Sequence, residues 1–146
     1  MIRNSILCFL ILGLIGSAGI VSGQDLTAFK VIVNSSNPVS AITTAKLSDL
    51  FLKKVSKWDN GMKVMPVDLS DRSSVRDAFS RTVLNKTPLA VKSYWQQQLF
   101  SGRNVPPPEK AQDSDVIAFI KANPGAIGYV SAATKTEDVK QLKISE

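Results

Sequence analysis

The segment running from Asn123 to Ser131, Asn-Pro-Gly-Ala-Ile-Gly-Tyr-Val-Ser, constrains this chain more than any other, because it compresses a helix stop, a tight turn and a short buried strand into nine residues. Pro124 and Gly125 cannot continue the amphipathic pattern that precedes them, and Ala126 to Val130 is an unbroken apolar run of strand length. A connection of this kind belongs to an α/β chain.

The rest of the sequence repeats the alternation. Phe29 to Val33 is a β-branched run suited to a strand, followed by the turn cluster Asn34-Ser-Ser-Asn-Pro. Ser40 to Val55 carries Leu47, Leu50, Phe51 and Val55 at helical spacing, with Thr43 or Thr44 available as cap. Trp58-Asp-Asn-Gly is a turn, and Lys63 to Leu69 reads as the second strand. Ser73 or Ser74 caps a helix with Val75, Ala78, Phe79 and Val83 inward. Thr87-Pro88 opens a third helix, Val91, Trp95 and Leu99 form its buried stripe, and Gly102 ends it. Val105-Pro-Pro-Pro is a stiff connector. Asp113 or Ser114 caps a fourth helix with Val116, Phe119 and Ile120 inward, and a last strand spans Val139 to Ile144. The expected fold is therefore α/β: a single three-layer domain with a mostly parallel central sheet and helices on both faces.

The first 23 residues read as a secretory signal, with Arg3 as the positive region, Ile6 to Ile15 as the apolar core and Val21-Ser22-Gly23 before a cut near Gln24. Cys8 lies inside the apolar core, where it is not placed for lipidation. Residues 24–146 then form one domain, periplasmic or secreted, with no stable membrane insertion after cleavage. That segment contains no cysteine and the chain no histidine, so disulfides and the usual zinc ligands are missing, and neither a metal nor a cofactor is expected. The chain carries 18 Lys+Arg against 12 Asp+Glu, a net charge of +6, which would concentrate anions near its surface. The basic residues are scattered without aromatic interleaving, a pattern that argues against nucleic acid. Ser70 beside Asp71 has no histidine to activate it, and nothing else announces an enzyme.

Four ordered pieces precede the Asn123 segment: Lys46-Leu-Ser-Asp-Leu-Phe-Leu-Lys-Lys, Trp58-Asp-Asn-Gly, Pro66-Val-Asp-Leu-Ser-Asp-Arg-Ser-Ser, and Tyr94-Trp95. Together, from Ala45 to Ala132, they resemble the second lobe of the phosphate-binding proteins of ABC transporters, which are type 2 periplasmic binding proteins. Short secreted relatives that look like one solitary lobe fit this chain best. The resemblance implies one such lobe, a small oxyanion such as phosphate as ligand, and an envelope or transporter protein as partner. A two-lobed protein closes on its ligand by hinge motion, and one lobe cannot do so alone.

The loop Ser70-Asp71-Arg72-Ser73-Ser74-Val75-Arg76, between a strand and a helix N-terminus, is the sharpest chemical feature of the sequence. Free N–H groups, the positive end of the helix dipole and neighbouring hydroxyls favour an anion there. The same residues also fit a plain helix cap with Arg72 and Arg76 in solvent. Against the family's loop, Arg-Ser-Asp-Gly-Ser-Gly-Thr, Leu69 stands at the gripping Arg, Ser70 and Asp71 at Ser-Asp, Arg72 at Gly, Ser73 at the second Ser, Ser74 at the second Gly and Val75 at Thr. The resemblance thus implies a weakened grip, with Arg72 or Arg76 placed to supply a guanidinium from a new position. A second loop, Ser35-Ser36-Asn37, is expected to face the first across the carboxyl ends of the strands. Trp58 and Trp95 read as packing residues, and Lys53, Lys54 and Lys57 as a solvated helix end. The rival reading is a non-catalytic interaction module of the cell envelope that kept the fold and lost the ligand.

Overall fold

The computed structural model describes residues 28–146, so the expected signal segment, its cleavage point and Cys8 lie outside the described residues. The elements run β1 (Phe29–Val33), β2 (Ala41–Thr43), α1 (Thr44–Phe51), β3 (Met65–Pro66), β4 (Asp68–Leu69), α2 (Ser74–Thr82), α3 (Pro88–Phe100), β5 (Glu109–Lys110), α4 (Asp113–Ala122), β6 (Ala126–Ser131), β7 (Lys140–Gln141) and β8 (Lys143–Ser145). The central sheet has four strands in the order β3-β6-β1-β7.

Its two faces are covered by different helices. Successive side chains of a strand point to opposite faces, so Gly128 and its partner Ile32 share one face, and a Cβ on Gly128 would meet Val116 of α4 at 2.9 Å and Val67 at 2.8 Å. The absence of that atom is what lets α4 close onto β6. On the other face Tyr129 of β6 stacks on Phe79 of α2, with ring centroids 3.9 Å apart, and Phe51 of α1 leans on both rings. Helices α1 and α2 therefore cover one face and α4 the other, which makes the three expected layers.

The expected parallel pairing is corrected in the central sheet. β6 runs parallel to β3 but antiparallel to β1, and β1 is antiparallel to β7, so two of the three pairings are antiparallel. The parallel ladders that remain, β2 with β8 and β4 with β5, are separate two-stranded sheets. Alternation of strands with helices sets the layers, whereas β1 enters the sheet from the opposite end to β3 and β6, and no residue of β1 encodes that.

Boundaries also move for local reasons. α1 begins at Thr44 because the Thr43 hydroxyl accepts from the Lys46 N–H, and it ends at Phe51, leaving Val55 37 % exposed outside the expected stripe. Lys53 follows with φ of 54°, a left-handed residue of the kind that closes helices. The expected strand from Lys63 to Leu69 divides into β3 and β4 because each half pairs with a different partner. Val139 to Ile144 divides likewise into β7 and β8. Asp113 lies in the first turn of α4 rather than at its cap, and its carboxylate accepts from the Ser131 N–H and the Thr134 hydroxyl, tying α4 to the end of β6.

At the junction singled out by the sequence, the backbone of Gly125 lies so close to β3 that an added Cβ would stand 2.0 Å from the Lys63 carbonyl oxygen. Trp58 is buried and donates its indole N–H to the Gly125 carbonyl at 3.0 Å. The Trp58 turn and the Gly125 turn are thus fastened to each other across 67 residues of sequence.

Candidate functional site

The loop from Ser70 to Ser73 leaves β4 and enters α2. Its shape comes from two backbone bonds: Ser70 N–H to the Lys110 carbonyl at 2.9 Å, and Ser73 N–H back to Ser70 at 3.0 Å. Ser73, with extended backbone, is the cap, and its hydroxyl accepts from the Arg76 N–H at 3.3 Å. The first N–H groups of α2 have no partner within the helix, as at any helix start. Ser70 and Ser73 are half-buried, while Asp71, Arg72 and Ser74 are exposed.

Arg76 is neither in solvent nor free for a ligand. Its guanidinium donates to the Leu69 carbonyl at 2.8 Å and to Glu109 Oε1 at 2.6 Å, and lies 3.3 Å from Asp68 Oδ2, with only 11 % of the side chain exposed. Asp68 also accepts from the Leu69 N–H at 3.0 Å and from the Tyr129 hydroxyl. The parallel pairing of β4 with β5 sets Glu109 beside Asp68 and so assembles the group. Burial raises the Asp68 carboxyl above the usual carboxylate value and outweighs Arg76 and the Tyr129 hydroxyl, which pull it down. Burial works against the Arg76 charge, yet Asp68 and Glu109 prevail and raise its pKa. Burial, then the neighbouring Asp68, raises the Tyr129 phenol far above its ordinary value, so it stays protonated and keeps donating.

A cleft of about 440 Å³ opens over this cluster. Asp68, Asp71, Glu109, Arg76 and Lys92 supply its charges, and Pro88, Leu89, Trp95, Leu99, Pro106 and Pro107 its apolar walls. Three carboxylates against two cations leave little net attraction for an anion deep in the cleft. The anion-favouring groups that remain belong to the loop beside the cleft and not to its lining: the start of α2, the exposed Arg72 and the exposed Ser74.

The second expected loop is elsewhere. Because Val33 pairs with Ile127 while Pro66 runs parallel beside the same Ile127, β1 points its carboxyl end away from that of β4, and Ser35, Ser36 and Asn37 fall at the opposite end of the sheet from Ser70 to Arg76. The two loops do not face each other. The Ser35 to Asn37 turn serves packing: Asn34 Nδ2 donates to the carbonyls of Ile120 and Lys121 at the end of α4, and Asn34 Oδ1 accepts from the Ser36 N–H and hydroxyl. Asn37 is buried, its side-chain oxygen accepts from Val39 N–H and its carbonyl from Lys140, while its Nδ2 has no protein partner.

Sequence reasoning missed Asp68, Glu109 and Tyr129. A carboxylate at Asp68 within the apolar run from Val64 to Leu69 was the available signal, since a buried charge demands a partner. Among the described residues no group of three or more His, Cys, Asp or Glu is placed to hold a metal ion.

Residues 26–145 match the PBP superfamily domain, and the chain belongs to that family. Its fold is shared with solved structures of low identity. One is a Clostridium perfringens protein described as a phosphate ABC transporter substrate-binding protein and holding a bound phosphate, with 22 % identity over 80 % of this chain and a TM-score of 0.65. An ABC-type phosphate transport receptor from Vibrio cholerae matches over 82 % of this chain at 17 % identity, TM-score 0.63. PstS from Borrelia burgdorferi does so over 82 % at 15 % identity, with the same score of 0.63. The match takes in 44 %, 48 % and 47 % of those three chains, so this chain spans less than half the length of each.

Proposed function

We propose that this chain is an exported, non-catalytic binding module that takes a phosphate-like oxyanion weakly at the mouth of the α2 cleft, through Ser70, Asp71, Arg72, Ser73 and Ser74. The pairing of Arg76 with Asp68 and Glu109 carries the word weakly: the guanidinium best placed to grip an oxyanion is already neutralised. What remains is a helix N-terminus, worth about 1 kcal/mol at an exposed site, one exposed guanidinium and a few hydroxyls. That inventory fits dissociation near 1 mM, about −4 kcal/mol, rather than 1 μM, about −8 kcal/mol. Asp71 accepts a hydrogen bond from the hydroxyl of a monohydrogen oxyanion and repels sulfate, which has no such hydroxyl. Export rests on the reading of residues 1–23, and among the described residues no helix is long and apolar enough to cross a membrane.

Titration calorimetry with phosphate and sulfate is the test. The expected result is phosphate binding near 1 mM, weaker sulfate binding, and loss of the phosphate signal in Arg72→Ala; a dissociation constant below about 10 μM, or an unchanged Arg72→Ala, overturns the reading. Arg76→Ala is a poor probe, because it leaves Asp68 buried without its cation.

A second reading, contact with an envelope protein, draws support from α3. Leu89 is 74 % exposed, Leu99 51 % and Phe100 97 %, three large apolar side chains on one short helix. On this reading Phe100→Ser, outside the lining of the α2 cleft, keeps the fold and the phosphate titration and abolishes a crosslinked envelope complex formed by the wild type. A complex formed equally by the variant rules this surface out.

A further inference from the structure

A second cleft, of about 630 Å³, lies between the end of α1, the free edge of β3 and the proline connector. It is separate from the α2 site and its chemistry is different. Lys53, Lys54 and Lys63 converge on it, and none of its lining residues is acidic. Among the described residues none of these three lysines is within ion-pair distance of a carboxylate, although Lys46, Arg76, Arg81 and Lys121 all are. Apart from Ser56 and Asn104 the rest of the wall is apolar, with Met65 on the strand edge, Val105 on the connector and Phe119 from α4, and Lys110 sits 5.5 Å from the centre of the Phe119 ring. One wall of the cleft is tied to another: Asn104 Nδ2 donates to the Lys53 carbonyl at 3.3 Å and so fixes the connector against the helix end.

We propose that this cleft binds an amphipathic monocarboxylate, with its head group at Lys53, Lys54 and Lys63 and its apolar tail along Met65, Val105 and Phe119. Positive charge beside apolar walls in a cleft of this size is a usual form of a small-molecule site. Charge complementarity sets the head group. Among the described residues the lysines have no carboxylate partner, and burial together with Lys63 depresses the Lys53 pKa, a cost that a bound anion relieves. Ammonium groups, lacking the guanidinium fork, act as point charges and suit a carboxylate without demanding bidentate geometry.

The test is calorimetric titration of the full-length chain with monomeric decanoate, decanol and acetate, and sedimentation with phosphatidylglycerol vesicles. Decanoate is expected to saturate one site at least about tenfold more tightly than either decanol or acetate, and Lys54→Gln with Lys63→Gln to lose at least about tenfold in decanoate affinity while decanol is unchanged. Val105→Glu, at an exposed wall position, is expected to weaken decanoate as well, which keeps the test independent of the lysines. Equal affinity for decanoate and decanol, an unchanged double variant, or binding only to vesicles overturns the proposal. None of these outcomes bears on phosphate at the α2 mouth.

Discussion

Lys53 occupies a left-handed conformation, φ of 54°, that a residue with a Cβ adopts only at a cost of about 1 to 2 kcal/mol. Glycine removes that cost but adds unfolded-state freedom worth about 0.4 to 1 kcal/mol. Lys53→Gly is therefore expected to stabilise the fold by about 0.5 to 1 kcal/mol, read as a higher denaturation midpoint; a lower midpoint would show that the lysine stem contributes more by packing than its backbone loses. Asp68 makes a second prediction, one of sign. Its carboxyl is raised in the folded state, so its favourable contribution is complete below the unfolded value near 3.9 and is lost as pH rises through the folded value. Unfolding measured from about pH 4 to 7 should show the wild type losing stability relative to Asp68→Asn. The opposite slope would mean that Arg76 outweighs burial. Neither was settled by sequence: Lys53 read as a solvated helix end, and Asp68, although its apolar run signalled a buried charge, gave no sign of its partners, because backbone conformation and pairing depend on neighbours far along the chain.

At the scale of elements, α3 shows where helical spacing is reliable and where it drifts. Val91 and Trp95 are buried as the stripe requires, but Leu99 is half exposed. Each step of four residues turns the helix about 40° past a full turn, so across eight residues the stripe rotates by about 80°. Leu99 has by then left the face that Val91 occupies. Trp95→Ala is expected to cost about 3 to 5 kcal/mol, as large core truncations do, and Leu99→Ala less than about 0.5 kcal/mol. Equal midpoints for the two variants in chemical denaturation would overturn this assignment. The helix starts were more legible than the strand partners. Thr43, Ser73 and Thr87 each cap the helix expected of them, because a cap acts over three residues.

For the molecule as a whole, one continuous cluster of buried side chains runs from Val31 in β1 to Leu142 beyond β7 and joins all four helices. No subset of elements has a core of its own, so residues 28–146 are expected to unfold in one cooperative transition, with near- and far-ultraviolet circular dichroism superimposing. Two separated transitions would show an autonomous subdomain. The class of fold and its three layers followed from alternating strand and helix patterns, and the family from the ordered run of Trp58, the Ser70 loop and the Asn123 segment, because patterning and turn chemistry act over a few residues. Strand direction, the partition of loops between the two ends of the sheet and the fate of Arg76 were decided only by tertiary structure. Pairing of β1 with β6 joins residues about a hundred positions apart, and the closure of β4 on β5 brings Glu109 within 2.6 Å of an arginine 33 residues away. Charge neutralisation across such a span depends on which strands meet, and no local pattern of residues carries that information.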